Sequence, residues 1–312
     1  MVAKNYQRFD YLHEVNVNGP TYVAVGVFDG VHQGHRQLLQ SMVAAARAEG
    51  AGTAVLTFFP HPRAVIQKLS GRLYLGRLEE RVELLAAEGI DIIITHPFSE
   101  EVRQIQAAEF VRQLCTHLQM SQIWGGSFSL GYNREGNADF LRQMGSEWGF
   151  TVREALQLVL WQGERVSSSR IRQGLAAGVM DEVTGCLGRP YQVSGTVVMG
   201  DQRGRTIGFP TANLYPWEEQ LLPANGVYAS YAWLNGRRYA AATNVGVRPT
   251  VDGQRLTVEA HLLDFDADIY GEPIRLEFVH RLRSERKFAG LEELVNQIGA
   301  DVEQVRRWAA AG

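Results

Sequence analysis

Two successive rhythms in one chain predict an α/β domain followed by a small antiparallel β-barrel domain with a C-terminal helix. Up to residue 186, short β-branched runs alternate with amphipathic helical stretches, the pattern of a parallel sheet covered on both faces in a Rossmann-like layout. From residue 187 onward, short strands follow one another between Gly, Pro and Asn turns, the pattern of a small barrel. A length of 312 residues gives both parts enough chain for a core, so the expected division is 1–186 and 187–312.

The elements follow in order. Thr21–Val25 is an apolar, β-branched run and predicts a buried strand; Gln37–Ala44 has helical spacing and good helix formers. Thr53–Phe58 predicts a second strand, ending in the rigid turn Phe59-Pro60-His61-Pro62, where His61 reads equally as a pocket residue or a surface turn. Arg77–Glu88 and Ala107–Leu118 predict amphipathic helices, and Asp91–Thr95 and Gln122–Trp124 two further strands. The rhythm changes around Gly185–Pro190. Strands are then expected at Tyr191–Met199, Gly226–Leu234, Tyr239–Val245, Leu256–Leu263 and Ile274–His280, with a closing amphipathic helix from about Leu291 to Ala310.

Composition narrows the function classes. Hydrophobic residues make up 45% and charged residues 21%, an ordinary globular balance, and the formal net charge of −3 offers no basic field for nucleic acid. Lysine occurs only at positions 4, 68 and 287, so positive charge is almost wholly arginine, the residue of bidentate phosphate contacts. Cys115 and Cys186 stand in no metal or redox spacing. No apolar run reaches the length of a membrane span, and residues 1–7 lack the apolar core of a secretory signal, so a cytoplasmic protein without membrane partners is expected.

The first chemical signal is Gly26-Val27-Phe28-Asp29-Gly30-Val31-His32-Gln33-Gly34-His35, set between a strand and a helix. Strand-to-helix turns of open α/β sheets are where ligands bind, and a helix N-terminus with two imidazoles beside it suits phosphate oxygens. Two histidines three apart are also half of a zinc site, but neither His-Glu-x-x-His nor Cys-x-x-Cys accompanies them. The whole pattern resembles the nucleotidylyltransferase superfamily with the His-x-Gly-His signature, in its FMN adenylyltransferase branch. That resemblance implies a nucleotide site at Gly26, Phe28, Asp29, Gly30 and Gly34, with His32 and His35 stabilising charge on the α-phosphate.

Two later stretches extend the likeness. Trp124 to Gly136 resembles the family's second pocket motif, with Ser127 where Asn or Asp is usual, Leu130 in place of an aromatic, and a basic loop around Arg134. It implies flavin contacts at Ser127 and Phe128; Phe59 likewise stands at a position that is usually acidic. Ser167-Ser168-Ser169-Arg170-Ile171-Arg172 precedes a helical run, where serines cap and arginines bind phosphate. It resembles the family's Ser-Ser-Thr-x-Ile-Arg, implying that Ser167, Ser168, Ser169, Arg170 and Arg172 hold the outer phosphates.

The second half has no Gly-x-x-x-x-Gly-Lys-Ser/Thr loop, so phosphates there need another cradle. Gly200, Gly204 and Gly208, with Arg203, supply a glycine-rich turn able to present backbone N–H groups; Thr211 and Asn213 offer the hard oxygens that Mg²⁺ prefers. Glu259 lies on a strand with Thr257 and His261 on the same face, where a surface carboxylate is the default. The set Gly200–Arg205, Gly208–Asn213, Asn244–Thr250, Glu259 and Leu263–Gly271 resembles riboflavin kinase. The resemblance implies nucleotide binding at Gly200, Arg203, Gly204, Gly208, Pro210 and Asn244, a metal at Thr211 and Asn213, and Glu259 as general base. Arg283 and Glu285 are the candidates for a flavin loop.

Both halves together are similar to the bacterial bifunctional riboflavin kinase/FAD synthetase family. The implied activities are ATP-dependent phosphorylation of riboflavin to FMN and adenylylation of FMN to FAD with release of pyrophosphate, each with Mg²⁺. Riboflavin, FMN and ATP would be the ligands. Two alternatives stay open on sequence: a kinase with weakened adenylyltransferase, given Ser127 and Phe59, and a non-catalytic flavin- or nucleotide-binding regulator.

Overall fold

The computed structural model describes residues 6–155, 158–200, 202–250 and 253–311, with side chains left out at 203, 248–250, 253–255 and 311. The chain forms two compact units: Met1–Gly71 with Arg77–Val166, and Arg72–Gly76 with Ser167–Gly312.

In the first unit the strands are β1 (Gln7–Phe9), β2 (Thr21–Gly26), β3 (Gly52–Phe59), β4 (Ile92–Pro97), β5 (Met120–Gly125) and β6 (Thr151–Glu154). They make one sheet in the order β1-β4-β3-β2-β5-β6, with every pairing parallel. Its helices are α1 (Gln33–Glu49), α2 (Pro62–Gln67), α3 (Leu78–Ala87), α4 (Glu100–Arg103), α5 (Ala107–Leu118) and α6 (Ala138–Trp148). Alternate strand residues feed two cores. Val23, Leu56 and Ile94 pack against Val111 and Leu114 of α5 and Leu141 of α6; Tyr22, Val55 and Ile93 pack against Leu39 and Met42 of α1 and Val82 and Leu85 of α3. A sheet buried on both faces needs apolar residues at consecutive positions, which is why these strands read as unbroken apolar runs. A short hairpin, β7 (Leu160–Trp161) with β8 (Glu164–Arg165), follows.

The chain leaves β2 for β3 on one side, while β5 lies on the other. The carboxyl ends of β2 and β5 are therefore the topological switch point, the crevice where such sheets bind ligands.

The second unit opens with α7 (Ser168–Ala177) and α8 (Met180–Leu187). Strands β9 (Tyr191–Val198), β10 (Ala212–Pro216), β11 (Gly226–Leu234), β12 (Arg237–Thr250), β13 (Gly253–Leu262) and β14 (Pro273–Arg283) close an antiparallel barrel in the order β10-β13-β12-β11-β14-β9. The short helix α9 (Arg203–Thr206) sits between β9 and β10. Burial alternates along β9, with inward Tyr191, Val193 and Val197, as a two-residue side-chain period requires. The final helix, α10 (Leu291–Ala311), packs Val302 and Val305 against Ala229, Ala242 and Leu263. The expected α/β layout, barrel and closing helix are all present.

Candidate functional site

The β2–α1 turn is built under constraint. Phe28 and Val31 take positive φ (50° and 37°) on either side of Gly30 at 82°, and both side chains are buried. A β-branched residue in that region stores strain, a feature that gathers at functional sites. What holds the turn is a buried arginine on α3. Arg81 lies 3.7 Å from Asp29, both 2% exposed, and donates to Thr57 Oγ1 (3.2 Å) and the Phe58 carbonyl (3.0 Å). Thr57 Oγ1 in turn donates to the Val27 carbonyl at 2.8 Å. No sequence motif contains Arg81; its one signal is an arginine inside the apolar stripe of Leu78, Val82 and Leu85.

His32 is the N-cap of α1, its Nδ1 accepting the His35 backbone N–H at 3.3 Å. An Nδ1 that accepts carries no proton, so in the neutral ring Nε2 is the donor. The two imidazoles stack at 3.7 Å between centroids and 17° between planes, and Phe28 meets His35 edge-on at 5.0 Å. Gly34 permits this packing, since a Cβ there would come within 3.2 Å of the His32 ring. Burial, then His32, then Arg81 hold the His35 pKa well below the ordinary histidine value, and its buried Nδ1 has no hydrogen-bond partner. His35 is thus neutral across the physiological range.

Beside the turn, a cavity of about 880 Å³ opens at the switch point. Gly26 and Val27 border it, Phe58, Phe98, Phe110 and Phe128 supply apolar wall, and Arg63, Arg103 and Arg134 supply positive charge. Ser127 and Phe128 both line it, as does His61, the N-cap of α2. The aromatic walls come from four separate segments, so sequence spacing gave no sign of their convergence.

The serine–arginine stretch belongs to the second unit by its packing. Ser167 caps α7, accepting the Arg170 N–H at 3.2 Å; Ser168 and Ser169 form the first turn. Arg170 pairs with Glu182 at 2.7 Å, and Arg172 Nε donates to the Leu73 carbonyl at 3.3 Å.

In the barrel, register assembles a polar cluster. Asn213 on β10 and Asn244 on β12 are each paired with Glu259 on β13. Directly paired residues share a face, and alternation adds Thr211 and His261 to it. The residues between them, Ala212, Val258 and Ala260, point inward and are buried. A Cβ at Gly200 would collide with the Asn213 amide, so glycine there gives that side chain its place. Gly204 lies in α9 and Gly208 follows it at φ 87°; the Arg203 side chain falls outside the described residues. A second cavity of about 210 Å³ is lined by Pro210, Thr211, Arg205, Asp266 and Asp268. Asn244 Nδ2 lies 3.5 Å from Glu285 Oε1. Arg283 makes a bidentate pair with buried Asp301, donating from Nε to Oδ1 (3.1 Å) and from Nη2 to Oδ2 (2.8 Å), which fixes the end of β14 to α10.

Comparison with known proteins decides the family. Residues 14–170 match the family described as FAD synthetase, and residues 187–309 the family described as riboflavin kinase. The chain is 37% identical over 282 residues to the bifunctional riboflavin kinase/FMN adenylyltransferase of Escherichia coli (strain K12), covering 89% of this chain and 90% of that one. This chain belongs to the bifunctional riboflavin kinase/FMN adenylyltransferase family. The Pseudomonas fluorescens member is 37% identical over 295 residues, with 92% of each chain covered. The fold also matches, with a TM-score of 0.87 and 30% identity over 97% of this chain and 99% of the other, a crystal structure described as a macrolide-efflux protein from Streptococcus pneumoniae. Among the described residues no helix is long and apolar enough to cross a membrane.

Proposed function

We propose that this chain makes FAD in two steps, one per domain, with domains 1–186 and 187–312 acting in reverse chain order. The observation that carries the reading is that each half matches a different one of the two families, and each half holds its own polar cluster beside a cavity.

In the barrel, riboflavin's ribityl hydroxyl oxygen attacks the γ-phosphorus of ATP, and ADP leaves. Glu259, facing Asn213 and Asn244, accepts the hydroxyl proton as general base. Thr211 and Asn213 fit Mg²⁺, being oxygen donors two apart on one face, with Gly200 leaving space for the amide. Bound there, the ion would offset triphosphate charge. Gly204, Gly208, Pro210 and Arg203 line the phosphate turn, and Arg283 and Glu285 border the flavin. Burial of Asp301 against Arg283 makes Arg283 a strut for that loop.

In the α/β domain, an FMN phosphate oxygen attacks the α-phosphorus of ATP and pyrophosphate departs. The 880 Å³ cavity fits FMN chemically: aromatic walls for the isoalloxazine and arginines for the phosphate. His32 donates from Nε2, and the first N–H groups of α1 add their dipole, so charge is stabilised without a covalent intermediate. By family resemblance alone, the role proposed for Ser167, Ser168, Ser169, Arg170 and Arg172 is contact with phosphate oxygens. Such a soluble-substrate enzyme works in the cytoplasm.

The test is a pair of substitutions assayed for both products. His32→Ala lowers FAD formation from added FMN by about 10²–10³-fold and leaves FMN formation intact. Glu259→Gln lowers riboflavin phosphorylation by about 10²–10⁴-fold and leaves FAD formation from FMN intact. Loss of both activities in either stably folded variant contradicts the two-site reading.

A further inference from the structure

We infer that His261 is a positioning residue of the kinase site, pinning the Pro210 carbonyl so that Thr211 and Asn213 present their oxygens together. The inference rests on the reading of those two residues as the metal-holding pair. Its basis is the way the segment before β10 is tied down. Phe209 N–H donates back to the Gly204 carbonyl at 2.8 Å, closing the glycine-rich turn, and Pro210 has no N–H to give. The β10–β13 pairing begins only at Ala212↔Ala260. Between these two anchorages lies Thr211, one of the two oxygen donors.

His261 bridges that interval. Its Nδ1 lies 2.8 Å from the Pro210 carbonyl oxygen, and a carbonyl only accepts, so Nδ1 carries the proton. Its ring also meets Phe209 edge-on, at 5.5 Å between centroids and 81° between planes. Phe209 packs on the cluster formed by Val302 and Val305 of α10. One imidazole therefore fixes a carbonyl and an aromatic ring on the two residues preceding Thr211. It does so from the strand that carries Glu259, two positions away on the same face. General base and oxygen donors are thereby held in one frame.

The geometry gives a selective test, because an Asn amide can place its N–H near the Nδ1 position, whereas Gln reaches toward Nε2. His261→Phe, His261→Gln and His261→Asn are compared in the full chain. The first readout is backbone hydrogen exchange of residues 208–215 without ligands. The second is KM for MgATP against kcat in riboflavin phosphorylation. Phe and Gln are expected to speed exchange in this segment and to raise KM about three- to tenfold, the factor one hydrogen bond supplies. Asn is expected to return both to within about twofold. Formation of FAD from added FMN serves as the folding control.

Thr211→Ala is measured alongside for its Mg²⁺ requirement. If that requirement does not change, the metal-pair reading falls, whatever His261 does. If it rises while His261→Phe leaves exchange and KM at wild-type values, the inference about His261 falls alone. Faster exchange with an unchanged KM also overturns it, since His261 would then only stabilise the strand. Failure of Asn to rescue what Phe and Gln lose overturns the hydrogen-bond account.

Discussion

At the scale of single residues, the His32–His35 pair sets a proton inventory. The folded protein resists protonating His35, while the unfolded chain binds that proton below about pH 6.5. Stability from this group is therefore complete above that pH and falls as the solution becomes more acidic. Replacing His35 with Gln should flatten the loss of stability between about pH 6.5 and 5, as read by urea unfolding at several pH values. An unaltered slope would mean that His35 titrates normally. Ser127 gives a second prediction at this scale. Ser127→Asn puts a longer amide at the cavity wall and should lower the KM for FMN several-fold, the effect of one added hydrogen bond. Half-buried Cys115 follows the same physics, since burial pushes its thiol up to about 11. It should resist alkylation at pH 8 until the protein unfolds.

At the scale of elements, the β2–α1 turn depends on α3. Arg81→Met removes the cationic partner of a buried ion pair, so the buried Asp29 carboxylate loses that charge. That should lower stability by about 3–5 kcal/mol, and Asp29→Asn in the same chain should recover part of it. Equal unfolding midpoints for the single variant and wild type would show that the pair does not hold the turn. Element by element, legibility in the sequence followed burial. Strands β2, β3 and β4 were plain because both faces are covered, which forces apolar runs. The start of α1 was not: Gln33-Gly34-His35-Arg36 carries no apolar period, and the helix begins there because His32 caps it. β1 has three residues on a sheet edge, and α2 has six residues with a proline at its start, too short for any period to show. The segment Arg72–Gly76 joins the second unit through Glu219, whose carbonyl accepts the Leu73 and Tyr74 N–H groups, and no local pattern announces a bond across that separation. The site was half legible. Motifs named the residues on the two turns, whereas Arg63, Arg81, Phe98 and Arg103 entered only through packing.

At the scale of the whole molecule, two activities in one chain with separate polar clusters should be separable. Mixing the His32→Ala and Glu259→Gln variants should restore FAD formation from riboflavin, because FMN made by the first can reach the intact adenylyltransferase of the second. No restoration would mean that FMN does not pass through solution. The measurement that bears most directly on the account is a time course of the pure protein with riboflavin, ATP and Mg²⁺, with the flavins separated at each point. The account predicts FMN first, then FAD accumulating at its expense together with pyrophosphate. FMN alone would contradict the adenylyltransferase half, and riboflavin persisting unchanged would contradict the whole.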